Sequence, residues 1–127
     1  MEYSKELRDK IWEKGISVEG YDSKIVRKDA CGAWIIHDLY GDKETMFGWE
    51  IDHIFPESKL KELGKSDKAS EFINLRPLNV ANNVSKSDSY PEYKATLTSD
   101  GEKNIECDKF YVVNKQLQDE LTKFFNL

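Results

Sequence analysis

The sequence predicts an α+β domain, and three observations carry that prediction. Apolar residues recur at helical spacing at both ends of the chain, as Leu7, Ile11 and Trp12 and again as Leu117, Leu121, Phe124 and Phe125. Between them lie short runs of β-forming residues bounded by turn formers, none long enough for a large sheet. At 127 residues, 39% hydrophobic and 12% aromatic, the chain suits one domain with a modest core.

Ser4 is positioned to cap a first helix running to about Lys14, with Gly15 as its stop. Residues 15–30 mix Gly, Ser, Asp and charges without period and read as a loop. Ala33 to Tyr40 reads as a strand ended by the Gly41-Asp42 turn signal. Trp49 to Phe55 reads as a further strand, Ser58 to Gly64 as a short helix, and Lys65 to Ser70 as a loop. Phe72 to Leu78 is the next strand, and Asn79 is a suitable cap for a helix from Val80 to about Lys86. Pro91 ends that pattern. Tyr93–Thr98 and Asn104–Cys107 flank Ser99-Asp100-Gly101-Glu102 as a hairpin, and Asn114 caps a last helix.

Composition narrows the setting. No apolar run approaches the ~20 residues of a membrane span, and the first residues do not form a signal peptide. Cys31 and Cys107 form no CxxC pair and read as free thiols in a reducing, cytoplasmic compartment. Nineteen basic against twenty-four acidic residues leave a net charge of −5, the wrong sign for a broad nucleic-acid-gripping surface. The excess acid lies in residues 31–51 and 96–127, while residues 52–95 hold seven basic and seven acidic side chains. A local phosphate-facing patch is still compatible with that distribution.

The chemistry concentrates in Trp49–Lys86. Asp52 and His53 put a hard anionic oxygen and a proton-accepting imidazole side by side. Neighbours on a regular strand point to opposite faces, so for both to serve one site the strand must end or bulge there, as Pro56 suggests. On a helix opening at Val80, Val80 and Val84 mark an inner face shared by Asn83, with Asn82 turned about 100° away. His37 carries no expected chemistry, and Trp34 and Trp49 read as core.

This stretch resembles the HNH nucleases, whose ββα-metal motif wraps two antiparallel strands and a helix around one divalent cation. Asp52-His53 is similar to the family's paired metal ligand and general base, Asn74 to the middle Asn, and Asn83 to the helix-borne ligand. Asn83-Val84-Ser85-Lys86-Ser87-Asp88 resembles the end of the motif in RNA-guided CRISPR effector nucleases. Arg27–Trp34 and Gly48–His53 resemble small bacterial HNH proteins. The likeness covers roughly residues 24–92, with its core at about 48–88, inside one domain spanning 1–127. The third motif letter is Asn83 rather than His, which bears on metal preference.

The resemblance implies a metal-dependent endonuclease acting on nucleic acid, DNA first. Asp52 and Asn83 would hold Mg²⁺, with Mn²⁺ substituting and no structural zinc, and His53 would be the general base. Asn74 would organise the loop that orients His53, while Lys86 and Arg76 are candidates to meet phosphate. Binding to DNA by the chain alone should be weak and non-specific, and a protein partner is compatible with it. Two other readings stand beside this one: a non-catalytic binding module on the same fold, and a nuclease directed to RNA or active within a larger complex.

Overall fold

The computed structural model describes residues 3–127. Among them the chain is mixed α+β, with four α-helices and three separate antiparallel strand pairs. No helix among these residues is long and apolar enough to cross a membrane.

Helix α1 (Lys5–Trp12) is capped by Ser4, whose hydroxyl accepts the Leu7 N–H at 3.1 Å. It stops two residues before the predicted Lys14. Its C-terminal end is held by Arg27, which donates to the carbonyls of Glu13, Gly15 and Ser23. That clamp explains a short strand β1 (Val26–Lys28) where the composition suggests only a loop. It pairs with β2 (Trp34–Ile36), and the predicted Ala33–Tyr40 strand gives way to a 3-10 turn over His37–Leu39.

The central unit is β3 (Trp49–His53), β4 (Leu75–Asn79) and α3 (Val80–Lys86), with α2 (Glu57–Glu62) between the strands. The two strands pair in regular antiparallel register from Trp49↔Asn79 to His53↔Leu75. A 3-10 turn at Phe72–Asn74 delays the second strand past its predicted start. Alternation sends Trp49 and Ile51 into a core with Ile11, Trp12, Ile35 and Leu75. Leu78, Ile54 and Phe55 join the other core, with Tyr93, Ala95, Leu121 and Phe125. The hairpin of β5 (Glu92–Asp100) and β6 (Lys103–Val112) is much longer than expected and covers α3. Helix α4 (Lys115–Phe125) closes the second core, capped by Asn114 as predicted, although Phe124 is exposed.

The rotation of α3 differs from the sequence reading. Asn82 is 0% exposed and Val84 is 72% exposed, so Asn82 and Lys86 face inward and Asn83 lies on the flank. The pairing of β5 with β6 is irregular between Ala95 and Leu97. There the N–H groups of Thr96 and Leu97 both donate to the Asn82 Oδ1, at 2.9 Å. The Asn82 Nδ2 donates to the Leu97 carbonyl and to Asp29 Oδ2, each at 3.0 Å. Burying Val84 would contribute about 1.5–3 kcal/mol. Leaving several buried backbone groups without partners costs about 1–3 kcal/mol each, so the asparagine wins the inner face.

Asn82→Ala should therefore destabilise the fold by about 3 kcal/mol or more in urea unfolding. Asn83→Ala should change stability by no more than about 0.5 kcal/mol. Equal losses from the two substitutions would contradict this orientation of α3.

Candidate functional site

Strand β3 ends at His53, which resolves how neighbouring side chains reach one place. The pairing holds to its last residue without a bulge, and the cleft at the strand end is lined by Ile51 and His53 from one face and by Asp52 from the other. This cleft, about 400 Å³, is lined by Asp52, His53, Glu57, Asn83, Ser87 and Asp88, among others. Asp52, His53 and Asn83 thus come together. Asn83 reaches the cleft from the flank of α3 and not from the inner face expected.

Asp52 is 3% exposed and paired at both oxygens. Its Oδ2 accepts the Arg76 Nε–H at 3.0 Å, and its Oδ1 meets the Lys86 ammonium at 3.1 Å. Lys86 also donates to the His53 carbonyl at 3.0 Å and is 0% exposed. Burial pulls the Lys86 ammonium below the ordinary lysine pKa, against the opposing pull of Asp52. Arg76 lies over the Tyr93 ring, with Cζ 5.2 Å from the centroid, and its Nη2 is buried without a partner. The expectation that Lys86 and Arg76 meet phosphate at the surface is therefore corrected. Both are inside because the buried Asp52 carboxylate needs compensating charge.

His53 is half-buried. Its Nε2 lies 3.1 Å from the Ser70 hydroxyl and 3.3 Å from that of Tyr3, and the two hydroxyls are 3.4 Å apart. Burial lowers the His53 pKa below 6.5, opposed by Glu57 and Asp52 and reinforced by Lys86. The lowered pKa favours the neutral ring, and Nδ1 is the nitrogen with no hydrogen-bond partner among the described residues. The Asn74 amide makes no hydrogen bond to His53 among the described residues. Its Oδ1 accepts the Phe55 N–H at 2.7 Å, and its Nδ2 donates to the carbonyls of Phe55 and Ala69. One buried amide thus ties the end of β3 to the loop that presents Ser70.

The donor set fits a hard divalent cation in kind. The Asp52 carboxylate has lone pairs beyond those its two partners use, and the half-buried Asn83 amide makes no hydrogen bond among the described residues. Three carboxylates, Asp52, Glu57 and Asp88, stand against the two cations Lys86 and Arg76, leaving the cleft slightly negative. No cluster of three or more His, Cys, Asp or Glu side chains converges on a metal position among the described residues. Asp52 and Asn83, the pair that the HNH resemblance selects, line one cleft, with Lys86 already at the carboxylate.

No family model, no curated protein and no solved structure matches the chain.

Sequence reasoning missed Ser70 and Tyr3, which lie 17 and 50 residues from His53 and carry no local signal. The Arg76–Asp52 pair was within reach, since the two stand opposite each other once the strand register is known. The second histidine is structural. His37 bridges Asp9 at 2.8 Å and Asp38 at 3.0 Å and packs edge-on against Trp12. The Cys31 thiol, beside Asp29, is pushed up to about 12 by burial, which favours its protonated form. Both cysteines are free.

The two histidines should titrate on opposite sides of 6.5. Burial holds His53 below it. At His37 burial also works against charge, but the Asp38 and Asp9 carboxylates outweigh it and raise the pKa. Stability linked to His53 is lost as pH falls through 6.5 toward its folded pKa. Stability linked to His37 is present below 6.5 and lost as pH rises through its folded pKa. An NMR titration of the two imidazole Cε1–H resonances measures both, and coincident midpoints would contradict the two environments.

Proposed function

We propose that this domain is a cytoplasmic, metal-dependent endonuclease of HNH type, hydrolysing nucleic-acid phosphodiester bonds, with DNA as its first substrate. The observation that carries the reading is the meeting of Asp52, His53 and Asn83 in one cleft at the end of a β–β–α unit. Those are the residues the HNH resemblance selects. Asp52 and Asn83 would hold Mg²⁺, or Mn²⁺ in its place. Bound there, the cation supplies charge stabilisation to the phosphate and to the departing oxygen.

The remaining work falls to the chain itself. His53 takes a proton from the attacking water at Nδ1, because Ser70 and Tyr3 occupy Nε2. Its lowered pKa keeps it in the accepting form at pH 7. Ser70, Tyr3 and Asn74 position it. Lys86 and Arg76 stabilise the buried Asp52 carboxylate rather than grip substrate. With Glu57 and Asp88 on the rim and −5 overall, the protein engages few phosphates, so its affinity for DNA is weak. A protein or RNA partner would then be one way to bring substrate to it.

A second reading has its own support. Asp52 is already neutralised by two buried cations, as would suit a non-catalytic module that keeps the fold. Incubation of plasmid, single-stranded DNA and RNA with Mg²⁺, Mn²⁺ or EDTA separates the two. Cleavage that EDTA abolishes is expected; no cleavage of any substrate with either metal favours the binding module.

His53→Ala should lower the cleavage rate by about 10²–10⁴ while metal binding survives, and His37→Ala should act only through stability. A larger kinetic loss at His37 would put the base elsewhere. For a catalytically inactive variant, the slope of log affinity against log salt should be shallow, at ~0.9 for each phosphate engaged. Tight binding with a steep slope would reveal a basic surface at odds with this reading.

A further inference from the structure

The two prospective cation donors are in opposite states. The Asn83 amide lines the cleft and has no hydrogen-bond partner among the described residues, so it is free to accept a ligand. The Asp52 carboxylate is closed, with Arg76 on one oxygen and Lys86 on the other. Lys86 stands on α3, three residues beyond Asn83, and its ammonium is wholly buried between Asp52 Oδ1 and the His53 carbonyl. Burying a charged lysine is costly, and once it is paired with a buried carboxylate its removal destabilises the metal-free protein. Arg76 and Lys86 together bring two positive charges to the one negative charge of Asp52. The second buried cation leaves the trio with a net positive charge, and it stands on Asp52 Oδ1, the oxygen that Arg76 leaves open.

We infer that Lys86 is a built-in competitor for the divalent cation, closing Asp52 when no metal is bound and setting a weak metal affinity. The inference rests on the metal-dependent reading proposed above. A divalent ion and an ammonium repel each other strongly across one carboxylate oxygen, so binding moves the Lys86 head group off Asp52 Oδ1. The Lys86–Asp52 contact then exists only in the metal-free protein, and its free energy is subtracted from that of metal binding. Arg76, on the other oxygen, stays with Asp52 in both states. Lys86 is thus a positioning and affinity-setting residue, with no contact to substrate.

The test is a Mn²⁺ titration of the full chain, followed by the electron paramagnetic resonance signal of free Mn²⁺, with thermal melts in EDTA and in Mn²⁺. Lys86→Met should bind Mn²⁺ about tenfold more tightly than the wild type or better, a gain of ~1.4 kcal/mol. It should melt lower in EDTA and show the larger upward shift on adding metal. Lys86→Gln, which keeps a polar head without charge, should fall in the same direction and serves if the methionine variant does not fold. Asp52→Asn should lose most binding. If both Lys86 variants bind Mn²⁺ no more tightly than wild type while Asp52→Asn still weakens it, the competitor role is overturned and the metal reading stands. If no form binds Mn²⁺, both are overturned.

Discussion

The position of α3 depends on one buried carboxylate. Asp29 accepts the N–H groups of Cys31 and Ala33 on one oxygen and those of Asn79 and Asn82 on the other, all near 3 Å. It is 1% exposed, and burial raises its pKa in spite of those four donors. Through Asn79 it fixes where the helix begins, and through Asn82 it fixes how the helix is turned. Asn82 then ties that orientation to the irregular stretch of β5. Given this rotation, Asn83 must lie a third of a turn from the inner face, at the cleft, and Lys86 must point inward at Asp52.

A second network does the same for the strand end. The Asn74 amide clamps Phe55 and Ala69, so the end of β3 and the loop bearing Ser70 move as one piece. His53 is thereby held between Ser70 and Tyr3 on one side and the cleft on the other. Both devices are buried side-chain amides with their hydrogen bonds satisfied, and such networks are rigid because each unmade bond would cost free energy in a dry interior.

The electrostatics of the cleft follow from burial. Asp52 keeps its charge by recruiting Arg76 across the strand pair and Lys86 from the helix. Those cations cannot also form a phosphate-binding surface, and the exposed rim carries Glu57 and Asp88. An acidic protein with an acidic rim would repel a polyanion from the cleft.

Much of this was legible in the amino-acid sequence, and the rest was not, for reasons that differ by residue. The caps at Ser4, Asn79 and Asn114 are local chemistry, and each appears where the sequence places it. The hairpin is also local, carried by turn signals, though it runs longer than they suggest; the strand pair around Asp52-His53 and the nearness of Asp52, His53 and Asn83 are what the HNH resemblance implies. The rotation of α3 was not legible. Apolar pattern favoured Val84, and nothing near Asn82 in sequence reveals the unpaired N–H groups of Thr96 and Leu97 that claim it. The inward turn of Lys86 and the contacts of Ser70 and Tyr3 with His53 were hidden likewise. Sequence alone determined most of the elements and their caps, because caps, period and turns act within a few residues. Tertiary structure alone decided which partners the buried polar side chains meet, because such groups pair wherever the fold brings them together.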